Sequence, residues 1–136
     1  MPNFLRLLIL ENIYILMLPS QNFTELIVWQ KAHQLVLRTY VVTREFPREE
    51  VYGLTSQFRR AAISVGANIA EGYSRNGKRD KLKFFNYAMA SLRECEYFII
   101  LGRDLGYASD ASLNGLAQEV GKLITAYSKS IKKSLY

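Results

Sequence analysis

From Val51 to its C-terminus this chain contains no proline, and apolar residues recur there every third or fourth position between short polar turns. Proline is the strongest breaker of a helix interior, and three-four spacing places side chains on one face of a helix. No segment alternates with the period of two that a half-buried strand requires. The chain is therefore predicted to be all-α, with four helices joined by loops short enough to force antiparallel neighbours, an up-down-up-down four-helix bundle.

Each helix has its own signals. The first is predicted to open on Thr24 as N-cap, with Phe23 and Val28 forming a hydrophobic staple. Its stripe reads Leu26, Trp29, Ala32/His33, Val36 and Tyr40, and it ends near Phe46–Pro47. The second runs from about Val51 to Glu71 with the stripe Leu54, Phe58, Ala61/Ala62, Val65 and Ile69, and Gly72 is its expected C-cap. After the Asn76–Gly77 turn, the third runs from about Asp80 to Leu105 and stops at Gly106. Leu82, Phe85, Met89, Leu92 and Ile99 form its first stripe, and Phe84, Ala88, Ser91, Cys95 and Phe98 form a second beside it. The fourth begins after Ser109–Asp110 and carries Leu113, Leu116, Val120, Leu123/Ile124, Tyr127 and Ile131. Residues 97–101 (YFIIL) are apolar all round, which asks for burial on more than one side and so for self-association.

The opening segment stands apart. Residues 7–18 are apolar, but they fall short of the ~20 residues that a spanning helix needs, and Glu11 and Asn12 interrupt them. A signal peptide fits poorly, with an acid in the apolar stretch and no Ala-x-Ala pattern. Residues 1–22 are expected to be an extension, either a pendant helix or residues added by an upstream start codon. Residues 23–136 are expected to be the domain. No membrane partner is expected, and the single cysteine, Cys95, suits a reducing compartment.

Catalytic constellations are hard to assemble from these residues. A di-iron bundle needs Glu-x-x-His pairs, yet the one histidine, His33, has Gln30 three positions before it. One His and one Cys do not make a zinc site. A Cys95–His33 nucleophile pair is weaker than the plain reading, in which Cys95 is a small core residue and His33 a boundary residue beside Trp29. No enzyme activity, metal or cofactor is expected.

Charge says more. The formal net charge is +6, and because Arg6 and Glu11 cancel, all of it belongs to residues 22–136. Arg75, Lys78, Arg79, Lys81 and Lys83 face only Asp80 within nine residues, a local +4. Tyr73 and Tyr87 flank this run, where rings can stack on unpaired bases, and Arg59 and Arg60 add a second basic pair. These are the candidate nucleic-acid contacts, weighed against ordinary solubilising charge. Asn68, Glu71, Ser91 and Glu94 lie within apolar stretches. They are read as a polar layer that sets bundle register, with Arg60 as a further member, in preference to a ligand site. Gly66, Ala67, Ala88, Ala90 and Ser91 are expected to let the second and third helices approach closely.

Three stretches, VWQKAHQL, FPREEVYGLTSQFRRAAISVGANIAEGYSR and FFNYAMASLRECEYFIILGRDLGY, resemble the bacterial 23S rRNA intervening-sequence protein family. The resemblance covers residues 23 to about 133. It implies a cytoplasmic four-helix bundle assembled as a ring-like homopentamer, and an association with segments inserted into 23S rRNA genes. The accessory proteins of diversity-generating retroelements are similar in architecture, which adds a reverse transcriptase to the candidate partners. Trp29, Asn68, Glu71, Gly72, Ser91 and Glu94 are the structural-motif positions, and no catalytic residue comes with the resemblance. Two functions are thus carried forward. One is RNA or DNA association through the basic loop, and the other is a protein-binding scaffold or adaptor using the apolar surface of the third helix.

Overall fold

A computed structural model of the chain describes residues 21–134. The expectations for the extension fall on residues outside this range, apart from Gln21 and Asn22. Four helices make the fold: α1 (Ile27–Thr43), α2 (Leu54–Ser74), α3 (Lys78–Asp104) and α4 (Ala111–Lys133). Short 3-10 turns at Phe23–Glu25 and Arg48–Glu50 precede α1 and α2, and there is no strand among the described residues. Each helix packs on the next and α4 returns onto α1, while α1 and α3, like α2 and α4, have no close backbone approach. The helices thus stand as at the corners of a square. Its centre is filled by fully buried side chains such as Phe58, Leu35, Ile69, Leu92 and Ile124. Burying each of these contributes about 1.5–3 kcal/mol relative to leaving it in water.

α1 differs from the sequence reading in both its start and its face. Thr24 is not the N-cap. It lies in the 3-10 turn, whose own cap is Asn22, with Asn22 Oδ1 accepting from Thr24 N at 2.9 Å. Extended backbone at Leu26 (ψ 126°) follows, burying Leu26 and starting α1 at Ile27. Phe23 packs edge-to-face on Trp29 at 5.2 Å. Val28, its expected staple partner, lies in the core. The core face is Val28, Ala32, Leu35, Thr39 and Val42, so Trp29, Val36 and Tyr40 sit to its side, only partly buried. Buried threonines explain the rotation. Thr39 Oγ1 donates to Leu35 O and Thr43 Oγ1 to Thr39 O, each at 2.7 Å, so neither hydroxyl needs water or a neighbouring helix.

α2 carries the expected stripe, with Leu54, Phe58, Ala61, Ala62, Val65 and Ile69 all buried, but it begins and ends three residues later than expected. Its first turn is capped by Glu50, whose carboxylate accepts from Leu54 N at 3.0 Å. It also runs through Gly72, which is not its C-cap. A Cβ on Gly72 would lie 3.1 Å from Phe84 Cβ and 3.3 Å from Phe85 Cδ2, so α2 and α3 approach closely at this glycine. The small residues expected to play that part do not all face the seam. Gly66 lies toward Trp29 of α1, and Ala67 and Ala90 are exposed.

α3 draws its core from both stripes: Phe85, Ala88, Ser91, Leu92, Cys95 and Phe98. It stops as expected at Gly106, which has φ +75°. Tyr107 N donates to Gly102 O at 2.9 Å and Gly106 N to Arg103 O at 3.0 Å, the double closure of a Schellman turn. α4 opens on Asp110, whose carboxylate accepts from Ser112 N and Ser112 Oγ at 2.9 and 2.7 Å. The Arg38–Asp110 and Lys31–Glu119 ion pairs, 3.2 Å each, join α1 to α4.

Candidate nucleic-acid interface at the α2–α3 end

The turn between α2 and α3 brings the basic residues to one end of the bundle, where they fall into two groups. Arg75 and Lys81 are committed to the fold. Arg75 pairs with the Glu71 carboxylate one turn back, and its guanidinium lies 4.6 Å from the centre of the Phe84 ring. Its Nε is shielded there, with no hydrogen-bond partner among the described residues. Lys81 Nζ donates to Tyr73 O at 2.7 Å and to Gly72 O at 3.3 Å, satisfying carbonyls left over at the end of α2. Partial burial holds this ammonium below the ordinary lysine range. The same ammonium lies 5.6 Å from the Tyr73 ring, which packs against the core. Tyr73 is therefore a structural ring more than a stacking platform.

Lys78, Arg79 and Lys83 form the second group. None makes an ion pair among the described residues. Lys78 and Arg79 occupy the first turn of α3, whose N-cap, Gly77, supplies no side-chain acceptor. Orphan N–H groups and the positive end of the helix dipole add to these cations, leaving Asp80 as the one acid of that turn. Lys83 Nζ lies 5.8 Å from the Phe84 ring and 6.0 Å from the Tyr87 ring. The two rings meet edge-to-face at 5.7 Å. Phe84, the ring shared by Arg75, Lys83 and Tyr87, was not singled out as a site residue from the sequence. Its signal was its spacing, next to Lys83 and three residues before Tyr87.

Arg59 and Arg60 separate in the same way. Arg59 Nε donates to Thr43 Oγ1 at 2.8 Å, and its guanidinium lies 4.4 Å from the Tyr40 ring, so it is a tie between α1 and α2. Arg60 is exposed. It lines an open groove of about 330 Å³ with Gln57, Ala61, Ser64, Ser91 and Glu94.

The predicted polar layer is present only in part. Ser64 Oγ and Ser91 Oγ lie 2.8 Å apart, and Asn68 Nδ2 donates to Ser64 O and Oγ at 2.8 and 3.0 Å. Ser64, overlooked in the sequence, is the hub of this network, which among the described residues does not extend to Glu71, Glu94 or Arg60. Glu71 is exposed on Arg75, and Glu94 is exposed on the groove.

His33 and Cys95 lie on different helices, α1 and α3. His33 is exposed and stacked on Trp29 at 4.9 Å. Cys95 is buried on α3, whose backbone makes no close approach to α1. Burial, with the Glu94 and Glu96 carboxylates adding to it, pushes the Cys95 thiol up to about 12. No group of three metal-ligating residues occurs among the described residues, and no helix there is long and apolar enough to cross a membrane.

The class these features define is a four-helix bundle with a basic, aromatic-backed end. Within that class, the sequence profile of the 23S rRNA-intervening sequence protein matches residues 24–129, and the chain belongs to this family. The fold is also that of a crystal structure from Bacteroides thetaiotaomicron, described as a protein of unknown function from the S23 ribosomal protein family. The two are 23% identical with a TM-score of 0.69, over 76% of this chain and 96% of that one. No curated protein matches the chain.

Proposed function

We propose that the protein is a non-enzymatic, cytoplasmic, oligomeric up-down-up-down bundle that associates with RNA through its α2–α3 end. The observation that carries this reading is the set of Lys78, Arg79 and Lys83, which make no ion pair among the described residues, around the uncapped start of α3. With Asp80 as the one acid of that turn, the arrangement keeps an excess of positive charge and suits phosphate. The family's name, which ties it to inserted segments of 23S rRNA, points to RNA in preference to DNA. Assembly is supported by the outer side of α3, where Tyr97 is 57% and Ile100 46% exposed. A ring, pentameric in the family resemblance, multiplies a weak contact by avidity.

Fluorescence anisotropy with labelled RNA at several salt concentrations tests the reading. Affinity should fall with salt, and replacing Lys78 and Arg79 with Glu should weaken binding and flatten the salt slope. Absence of binding at low salt refutes it. The exposed Tyr97 and Ile100 also favour a second reading, an adaptor whose partner is a protein such as a reverse transcriptase. Sedimentation of the chain alone and with a candidate partner separates the two: self-assembly without RNA binding supports the adaptor.

A further inference from the structure

Resting on the nucleic-acid reading above, we infer that the α2–α3 end takes a single strand, with an unpaired base laid on Tyr87 and the adjoining phosphates on Lys83 and Arg79. Tyr87 is 48% exposed, whereas the other tyrosine of this end, Tyr73, is packed on the core with the Lys81 ammonium beside its ring. The Tyr87 ring has an aromatic neighbour. Phe84 meets it edge-to-face at 88°, and Phe84 is held in turn by Arg75 and by the close approach at Gly72. Such a ring is a preorganised platform, which loses little freedom when a base stacks on it.

Two neighbours give the platform a direction. Lys83 stands at 6.0 Å from the Tyr87 ring, at the outer limit of a cation–π contact, so its ammonium can swing to a phosphate at small cost. One turn beyond Tyr87 on α3 lies exposed Ala90, whose methyl leaves room for a flat base, and then exposed Glu94, whose carboxylate repels phosphate. The strand therefore runs with its backbone toward Lys83 and Arg79. A duplex keeps its bases in its own stack and offers this end phosphates alone, so it gains nothing from Tyr87.

The test is anisotropy on the full chain with a labelled unstructured RNA strand and an RNA duplex of equal length. It compares wild type, Tyr87→Ala, Tyr87→Trp and Lys83→Gln, with circular dichroism confirming that each variant is folded. The strand is expected to bind more tightly than the duplex. Tyr87→Ala should lose about 5–150-fold on the strand with no change on the duplex or in the salt slope, and Tyr87→Trp should retain binding. Lys83→Gln should lower the salt slope. Equal or tighter duplex binding, or an unchanged strand affinity in Tyr87→Ala, overturns this inference while nucleic-acid association stands. Absence of binding to either RNA overturns both.

Discussion

Replacing Gly72 with alanine pits two effects of similar size against each other. In a helix interior alanine is favoured over glycine by about 1 kcal/mol. At this position the added methyl would lie 3.1 Å from Phe84 Cβ, 3.3 Å from Phe85 Cδ2 and 3.4 Å from the Lys81 carbonyl oxygen. Carbon pairs prefer about 3.5–4.0 Å. Two of the three atoms belong to the Phe84 Cβ and the α3 backbone, so relief requires moving the helix and not merely turning a side chain. Overpacking of this kind costs about 1–3 kcal/mol, which leaves Gly72→Ala destabilised by roughly 0–2 kcal/mol. Gly115 is the matched control, because a Cβ there meets nothing within 4 Å. Gly115→Ala should gain about 1 kcal/mol, separating the two variants by about 1–3 kcal/mol. Urea denaturation followed by circular dichroism, at one protein concentration to hold any assembly constant, measures both. A Gly72→Ala gain equal to that of Gly115→Ala would refute the close approach as the reason for this glycine.

Other substitutions probe the ties between helices. Asp110→Ala should cost about 0.5–2 kcal/mol through loss of the α4 cap, with Asp110→Asn retaining most of it in the same melts. Hydrogen bonds from the Ser112 hydroxyl and N–H, with Arg38 adding to them, hold the Asp110 carboxyl below its ordinary value of 3.8. Its stabilisation is therefore present above about pH 3.8 and is lost as the pH falls through the lower folded value, a loss that Asp110→Asn should not show. Arg59→Ala should destabilise by about 1–3 kcal/mol, since both the Thr43 bond and the Tyr40 contact go. The salt slope of RNA binding should stay as in wild type, and a fall in that slope would show Arg59 to be a phosphate contact. Cys95, buried and with its thiol raised to about 12, should resist alkylation at neutral pH until the chain unfolds. Rapid labelling of the native protein would contradict its burial.

What could be read from the sequence was whatever is decided locally. The Gly106 stop, the Asp110 cap and the α2 stripe each depend on a few neighbouring residues, and all are found in the fold. The face of α1 was misjudged because threonine counts as polar in a pattern, while Thr39 and Thr43 satisfy their hydroxyls on their own helix. Gly72 was misjudged because a glycine at a helix end and a glycine under a neighbouring phenylalanine look alike in one dimension. The basic run was legible as a count of charges. Its division into Arg75 and Lys81, tied to α2, and Lys78, Arg79 and Lys83, with no ion pair among the described residues, was not, since it depends on where the Phe84 ring and the last carbonyls of α2 lie.

The Schellman turn at Gly106 has a consequence for how this chain can change length. α3 is pinned at one end by Phe84 and Phe85 against Gly72. At the other it is pinned by Gly102, where a Cβ would lie 3.2 Å from Phe46 Cζ, and by the Gly106 closure. One residue inserted between these pins would turn everything beyond it by about 100°. Cys95 and Phe98 would leave the core, and Tyr97 and Ile100 would swing out of their present outward positions. The helix between Phe84 and Gly106 therefore acts as a ruler of fixed length, and relatives should differ there by substitution alone, with insertions and deletions confined to the turns.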